Sequence, residues 1–238
     1  MTSKCFIDAD TVAYRSAASC EPTKQKDYRE DLETAIRRAD ELMFRILADC
    51  ETDNYVGFLS GSENFRKRLY PLYKANRDHV RRPEHLQPVR EFLVSEWKAK
   101  VTDGYEADDA IGIAYSDGGI ICSVDKDFLQ IPGRHYNFVK GEWNTVSDLG
   151  AAYNFWRAML CGDRADNVPG VPGIGEVKSA RVLSGVPYED LKATVFDIYE
   201  QCDLDFHLTY NLLRILRSEE EWYNIENLIG KKQGENTA

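Results

Sequence analysis

The stretch GGIICSVD, residues 118–125, is a glycine turn followed by a continuous apolar run that ends in a carboxylate. An apolar run of this length after a glycine turn predicts a buried strand. Further strands are predicted in KCFID (4–8), NYVGFL (54–59) and, from a weaker pattern, HYNFV (135–139). Helical spacing of apolar residues separates these runs. Strands that alternate with helices predict an α/β fold with a mostly parallel central sheet flanked by helices.

The strand signals stop after residue 160, and the remaining chain has a helical pattern with a Gly/Pro-rich interruption at 169–175. We therefore predict an α/β core over 1–160 and a helical region over 161–230. The polar end of the chain, 231–238, has the composition of a disordered tail.

The composition is that of a globular protein: 43% of the 238 residues are hydrophobic, and the net charge is -10. No apolar run approaches the roughly 20 residues that cross a bilayer, and an acidic residue comes too early for a secretory signal. A cytoplasmic protein without a membrane partner is expected. The six cysteines form no CxxC pair. We expect reduced cysteines that pack in the core, and no zinc site.

One segment runs against the acidic balance of the chain. Residues 65–82 contain seven basic residues, one acidic residue and interleaved aromatic residues. The basic residues are Arg66, Lys67, Arg68, Lys74, Arg77, Arg81 and Arg82. Such a segment fits a contact with a polyanion and equally fits a solvated basic loop.

Acidic residues gather where the predicted strands and helices begin or end. They are Asp8 and Asp10, Glu106, Asp108 and Asp109, Asp125 and Asp127, and Asp163 and Asp166. Binding sites of parallel α/β sheets form at the carboxyl ends of the strands. Each acid alone also fits a helix cap or a surface residue, and Asp10 in particular fits a cap.

The cluster in GYEADDAIG, residues 104–112, poses an electrostatic problem because three carboxylates open an apolar helix. A helix dipole offsets only about 0.3–1 kcal/mol for each charge. Divalent cations offset far more, and oxygen ligands without Cys or His favour Mg²⁺ or Mn²⁺. Two such ions about 3.5–4 Å apart support in-line phosphodiester hydrolysis. The sequence therefore predicts a two-ion site.

The segment NVPGVPGIGEVKSARVL, residues 167–183, has glycines that lead into a predicted helix. Backbone N–H groups at such a helix start can hold a phosphate, and Lys178 adds a positive charge. This pattern is typical of a helix-hairpin-helix that grips a DNA backbone. A proline-broken turn between helices is the alternative.

Together, FIDADTVAYR (6–15), YPLYKANR (70–77), GYEADDAIG, SVDKDFLQI (123–131) and the segment from Cys161 to Leu183 resemble the 5′ nuclease superfamily. This superfamily includes flap endonucleases and 5′→3′ exonucleases, and the likeness is greatest to compact bacteriophage exonucleases. The motifs occur in the family order. The resemblance implies a PIN-like core with a short basic arch at about 61–85.

The resemblance also implies roles for individual residues. Metal ligands would be Asp8, Glu106, Asp108, Asp109, Asp125, Asp127, Asp163 and Asp166. Tyr73, Lys74 and Arg77 would lie near the scissile phosphate. From the basic segment and the glycine-rich helix start, we expect DNA contacts by Arg66, Lys67, Arg81, Arg82, Gly173, Gly175 and Lys178, with K⁺ at the helix-hairpin-helix. One departure is that FLSGS (58–62) lacks the Asp that the family commonly has after its second strand.

The predicted function is that of a Mg²⁺- or Mn²⁺-dependent 5′→3′ exonuclease or flap endonuclease. Its partners would be DNA with 5′ ends, flaps or junctions, and also RNA in RNA–DNA hybrids. No sliding-clamp motif is seen. Two alternatives stay open: a PIN-type ribonuclease, and a catalytically weak, structure-specific DNA-binding protein.

Overall fold

The computed structural model describes the backbone of residues 3–77, 79–116 and 118–235. The chain forms two compact units. The first comprises Met1–Glu63, Val80–Asp125 and Gly133–Thr145. The second comprises Asn64–His79, Lys126–Pro132 and Val146–Ala238.

The strands are β1 (Cys5–Asp8), β2 (Tyr55–Ser60), β3 (Lys100–Thr102), β4 (Ile120–Cys122), β5 (Gly133–Asn137), β6 (Glu142–Val146), β7 (Gly162–Asp163) and β8 (Val168–Pro169). The helices are α1 (Ala9–Ala18), α2 (Leu32–Asp49), α3 (Phe65–Leu69), α4 (Leu86–Ser95), α5 (Ala107–Ala114), α6 (Asp148–Cys161), α7 (Glu176–Leu183), α8 (Leu191–Gln201), α9 (Phe206–Leu213) and α10 (Glu219–Glu235). Single 3₁₀ turns occupy Ala75–Arg77, Lys126–Gln130 and Tyr188–Asp190.

The main sheet has the order β3-β2-β1-β4-β5-β6 within the described ranges. The pairs β1–β2, β1–β4, β2–β3 and β4–β5 are parallel. All four residues of the central strand β1 are buried, which explains its continuous apolar sequence. The predicted mostly parallel sheet, with strands near 4–8, 54–59, 118–125 and 135–139, is confirmed.

Helices cover the sheet of the first unit because each presents an apolar face to it. Ala39, Met43 and Ile46 recur at helical spacing on α2, and they are fully buried with Ile7 and Leu59 of the sheet. The helix α1 packs against α2 and α4, and α5 packs against β1 and β2. This arrangement brings the start of α5 and the end of β1 to the same part of the unit.

Two strands of the sheet were not predicted. The strand β3 has only three residues, two of them exposed, and β6 is exposed at four of its five positions. An edge strand need not carry an apolar run because one or both of its faces meet solvent. Their sequences therefore gave no hydrophobic signal, and pairing with β2 and β5 determines them.

The second unit is built around α6. Buried residues of this helix, among them Phe155 and Met159, form one core with Leu183 of α7, Val195 of α8 and Phe206 of α9. The division of the chain thus differs from the predicted boundary at residue 160, since α6 packs with the helices that follow it. Hydrophobic contacts determine this division of the chain, and the periodicity of the sequence does not specify those contacts.

The last helix replaces part of the predicted tail. The helix α10 runs to Glu235, although the sequence predicts disorder from residue 231. Lys, Gln and Glu are good helix formers, so they extend a helix despite their polarity. Residues 236–238 of the predicted tail lie outside the described residues.

Part of the predicted basic arch, Asn64–His79, belongs to the second unit. Its Arg66 is 2% exposed, and the guanidinium donates hydrogen bonds to the carbonyl oxygens of Leu212 (2.9 Å) and Arg214 (2.7 Å). These carbonyls are the acceptors that the end of α9 leaves without helical partners. The burial of Arg66 contradicts the prediction that it contacts DNA. The next residue, Lys67, is exposed.

We expect Arg66→Ala to destabilise the protein by about 1.5–3 kcal/mol, because hydrogen bonds of a charged donor to buried acceptors are lost. Lys67→Ala, the matched control in the same helix, should stay within about 0.5 kcal/mol of wild type. Urea unfolding followed by circular dichroism measures both. Equal stability of the two variants would contradict the capping role of Arg66.

Candidate metal and phosphate sites

Asp8 ends β1 and caps α1. Its carboxylate accepts hydrogen bonds from the Thr11 backbone N–H (3.0 Å), the Thr11 hydroxyl (2.5 Å) and the Ser123 hydroxyl (2.8 Å). Burial raises the pKa of Asp8, while these hydrogen bonds act in the opposite direction. The carboxylate of Asp8 therefore lies in a place where its negative charge is costly, and a cation would relieve that cost.

Asp10 has a different task from the cap role that the sequence suggested, since Asp8 is the cap. The Asp10 carboxylate forms an ion pair with Arg90 and accepts a hydrogen bond from the Ser60 backbone N–H (2.7 Å). Arg90 also donates to the Ser60 carbonyl. Asp10 thus joins α1 to the end of β2 and to α4, and its charge is already balanced.

The three carboxylates of GYEADDAIG lie in the first turn of α5, as predicted. Glu106 is the N-cap residue, and Asp109 accepts a hydrogen bond from its backbone N–H (3.1 Å). Asp108 accepts from the backbone N–H of Asp109 (2.8 Å). Asp109 is fully buried, whereas Glu106 and Asp108 are half-buried. The helix start therefore fixes the carboxylates of Asp108 and Asp109 in place.

Ser60 stands at the end of β2, where the sequence lacks the family's usual Asp. Its hydroxyl accepts a hydrogen bond from the backbone N–H of Ala107 (2.9 Å), the first residue of α5. The serine thus serves the same helix start that carries the acidic cluster. Glu63, the next acid along the chain, is exposed.

Asp125 follows β4 at the same end of the sheet and is exposed. Its backbone N–H donates to the Ser123 hydroxyl (3.1 Å), which in turn donates to Asp8. Within the described part of the first unit, no three carboxylates bring their oxygens within 4.8 Å of one another. The acids lie at the carboxyl end of the same sheet, and they would have to move closer together to bind one ion.

In the second unit, Asp166 gathers the three residues of YKANR that the sequence singled out. It accepts a hydrogen bond from the Tyr73 hydroxyl (2.9 Å) and lies 3.5 Å from the Lys74 ammonium and 2.6 Å from the Arg77 guanidinium. Lys74 adopts a positive φ of 58° and donates its backbone N–H to the Asp166 carbonyl (2.9 Å). Tyr73 is only 2% exposed, so it is placed to position Asp166.

Asp127 and Asp163 line one cavity of about 200 Å³ in the second unit. Lys126, Arg157 and Glu176 also contribute to its wall. Asp163 accepts hydrogen bonds from the backbone N–H groups of Ala165 (2.6 Å) and Asp166 (3.2 Å). The Asp163 carboxylate therefore caps the turn that leads from β7 to Asp166.

Within the glycine-proline segment, residues 172–175 form a largely exposed turn that leads into α7. Gly173 has a positive φ of 75°, Gly175 is the N-cap of α7, and both are exposed together with Lys178. A Cβ at either glycine would meet no atom within 4 Å, so a backbone can approach closely here. This geometry fits the predicted helix-hairpin-helix. Arg81 and Arg82, in the first unit, are exposed as well.

Sequence reasoning missed the partners that hold the acids: Thr11, Ser60, Arg90 and Ser123. They are polar residues without a motif, and three of them lie 50 or more positions from the acid that they contact. Only Thr11, three residues after Asp8, carried a local signal as part of a helix start. Among the described residues, no helix is long and apolar enough to cross a membrane.

Residues 4–154 match the family model described as "5'-3' exonuclease, N-terminal resolvase-like domain". The chain is 33% identical over 153 residues to DNA polymerase I of Borreliella burgdorferi, covering 54% of this chain and 16% of the polymerase. It is 32% identical over 168 residues to a 5'-3' exonuclease of Halalkalibacterium halodurans, covering 60% of this chain and 52% of that protein. The chain thus spans about half, or less, of the length of these relatives.

Solved structures share the fold. The T5 D15 protein co-crystallised with metal ions superposes with a TM-score of 0.65 at 14% identity, covering 96% of each chain. A complex of the bacteriophage T5 D15 flap endonuclease with DNA and metal ions gives a TM-score of 0.54 at 16% identity, covering 96% of this chain and 99% of that one. This agreement confirms the predicted α/β architecture.

We expect Asp8→Asn to stabilise the metal-free protein. The folded-state pKa of Asp8 is raised. The Asp8 carboxyl therefore contributes fully to folding stability below the unfolded-state pKa of about 3.9, where it is protonated in both states. That contribution is lost as the pH rises through the folded-state pKa. The advantage of Asn should therefore grow between pH 4 and neutral pH. Thermal unfolding in EDTA measures it. Asp10→Asn removes the carboxylate that pairs with Arg90, so it should instead lower the midpoint of thermal unfolding. Stabilisation by both variants would contradict the inference that Asp8 carries an unfavourable charge and Asp10 a balanced one.

Proposed function

The chain belongs to the 5′-3′ exonuclease family with an N-terminal resolvase-like domain, and from this membership we propose that it hydrolyses phosphodiester bonds of DNA. The substrates would be DNA with 5′ ends, flaps or junctions, and also RNA in RNA–DNA hybrids. The observation that carries this proposal is the family match over 4–154, which includes the acidic first turn of α5. We place the reaction in the cytoplasm, and in that of the host if the source is viral.

We propose that two Mg²⁺ or Mn²⁺ ions serve the reaction. The ligands would be Asp8, Glu106, Asp108, Asp109 and Asp125 of the first unit, and Asp127, Asp163 and Asp166 of the second. All are oxygen donors, which suits these hard cations, and the buried carboxylate of Asp8 supports the proposal. When bound, such ions neutralise charge on the phosphate and make a water molecule acidic enough to attack. The T5 D15 protein was also crystallised with metal ions.

The residues of the chain itself would place the phosphate. Lys74 and Arg77 now satisfy Asp166. We propose that Asp166 would hold a cation and that Lys74 and Arg77, which lie beside it, would bind and orient the phosphate. A positioned ammonium and guanidinium stabilise charge that develops in the transition state. Tyr73 would position the Asp166 carboxylate through its hydroxyl hydrogen bond.

The exposed turn at Gly173 and Gly175 would hold the DNA backbone through its N–H groups, helped by K⁺ and Lys178. Lys67, Arg81 and Arg82 would add further phosphate contacts, since all three are exposed. Such contacts orient the duplex without reading bases. The DNA complex of the T5 flap endonuclease is consistent with a DNA partner.

Asp109→Asn should reduce cleavage by roughly 10³-fold or more, because losing a charged metal ligand removes several kcal/mol of transition-state stabilisation. The assay uses end-labelled duplex, 5′-flap and RNA–DNA hybrid substrates with Mg²⁺, and with EDTA as the metal-free reference. The exposed Asp103→Asn is the matched control and should retain wild-type rates. Substrate binding without metal-dependent cleavage by the wild type would favour the alternative of a catalytically weak DNA-binding protein.

Lys178→Ala should weaken DNA binding and reduce the dependence of log K on log salt concentration by about 0.9, the value for one lost phosphate contact. The rate of the hydrolytic step under saturating DNA should change little. Lys192→Ala, an exposed lysine on α8, is the control and should bind DNA like the wild type. Fluorescence anisotropy at several salt concentrations gives both slopes; an unchanged slope for Lys178→Ala would contradict the hairpin contact.

A further inference from the structure

Three thiols that the proposed nuclease chemistry does not use meet in the core of the first unit. They belong to Cys5 of β1, Cys122 of β4 and Cys50, which follows the end of α2. Their Sγ atoms all lie within 4.8 Å of one another, and those of Cys50 and Cys122 are 3.7 Å apart. These cysteines pack in the core, as the sequence predicted, but the convergence of their sulfurs was not predicted.

The sheet register explains why these thiols converge. Cys5 pairs with Ile120 and Ile7 pairs with Cys122 across the parallel strands β1 and β4. Residues two positions apart share a face of a sheet, so Cys5 and Cys122 lie diagonally on one face. Cys50 packs into the same core from the end of α2. Three separate elements therefore each supply one sulfur.

We propose that Cys5, Cys50 and Cys122 form a three-sulfur site for a soft monovalent cation, Cu(I). Three sulfurs that surround one ion in a plane, with metal–sulfur bonds of about 2.3 Å, lie about 4 Å apart. The Sγ atoms of Cys50 and Cys122 are 3.7 Å apart, close to that spacing, and all three Sγ atoms lie within 4.8 Å of one another. The proposal is independent of the nuclease activity.

The chemistry of the cluster selects the ion. Thiols are soft ligands that favour Cu(I), whereas Mg²⁺ and Mn²⁺ favour the oxygen donors at the sheet edge. The sulfurs lie among apolar residues such as Met43 and Ile46, and Cys5 and Cys122 are fully buried. Burial penalises net charge. One Cu(I) that displaces one thiol proton to solvent gives a neutral complex, whereas a divalent ion would have to displace two.

Charged residues of both signs lie near the cluster: Arg134 on β5 and Asp49 at the end of α2. Asp49 also accepts a hydrogen bond from the hydroxyl of Tyr136, which lies opposite Cys122 in the sheet. Cys50, the C-cap residue of α2, is 8% exposed, whereas Cys5 and Cys122 are fully buried.

The test is an anaerobic titration of the full chain with Cu(I) against a chromophoric Cu(I) chelator. A Cys161→Ser/Cys202→Ser background removes the two cysteines that are not buried. We expect one Cu(I) per chain, and X-ray absorption should show three sulfurs at about 2.3 Å. A tenfold excess of Mg²⁺ should leave the titration unchanged.

Cys50→Ser in the same background should weaken Cu(I) binding by more than about 100-fold, which exceeds the effect of losing a supporting group outside the ligand set. Circular dichroism checks that this variant folds, and the X-ray absorption measurement on the background protein needs no change in the cluster. The proposal would be overturned by any of three results. The chelator could retain all of the Cu(I), the ion could have fewer than three sulfur ligands, or a folded Cys50→Ser variant could bind Cu(I) as tightly as the background protein.

Discussion

The buried carboxylate of Asp8 is the constraint on which the sheet edge of the first unit depends. It closes β1, caps α1 and accepts a hydrogen bond from Ser123 beyond β4, so one side chain fixes the junction of two strands and a helix. Burial opposes its charge. The neighbouring Asp10 is balanced by Arg90, and Ser60 serves the start of α5. Hydrogen bonds therefore order this end of the sheet, and the charge of Asp8 lies where a bound cation would be stabilising.

The second unit handles its acids in the opposite way. Asp166 is surrounded by Tyr73, Lys74 and Arg77, so its charge is balanced by side chains of the same unit. This arrangement keeps a lysine and an arginine ordered without a phosphate, and it keeps a carboxylate ordered without an ion. In the proposed function, Asp166 would hold a cation while Lys74 and Arg77 would bind a phosphate. The ion pairs position all three side chains for these roles.

The sequence was sufficient where the deciding forces are local. Buried apolar runs identified β1, β2 and β4, and the acidic first turn identified α5. Prediction from the sequence failed where the structure depends on contacts between residues far apart in the chain. The strands β3 and β6, for example, are defined by their pairing with neighbouring strands. Arg66 was predicted to contact DNA because it lies in a basic stretch. In the structure its buried guanidinium instead donates hydrogen bonds to carbonyl groups 146 and 148 residues away. The acidic residues belong to recognisable sequence motifs and could be predicted, whereas Arg90 and Ser60 belong to none.

Two donor chemistries share the strands β1 and β4. Cys5 and Cys122 place sulfur inside the sheet, whereas Asp8 and Asp125 place oxygen at or just beyond its carboxyl edge. Asp8 follows Cys5 by three positions, about 10 Å along an extended strand. Hard and soft cations prefer these donors differently, so each donor set can be filled without the other. Because β1 carries both, an ion held by sulfur would also restrain the strand that ends in Asp8, and this shared strand is the physical route by which the two donor sets could influence each other.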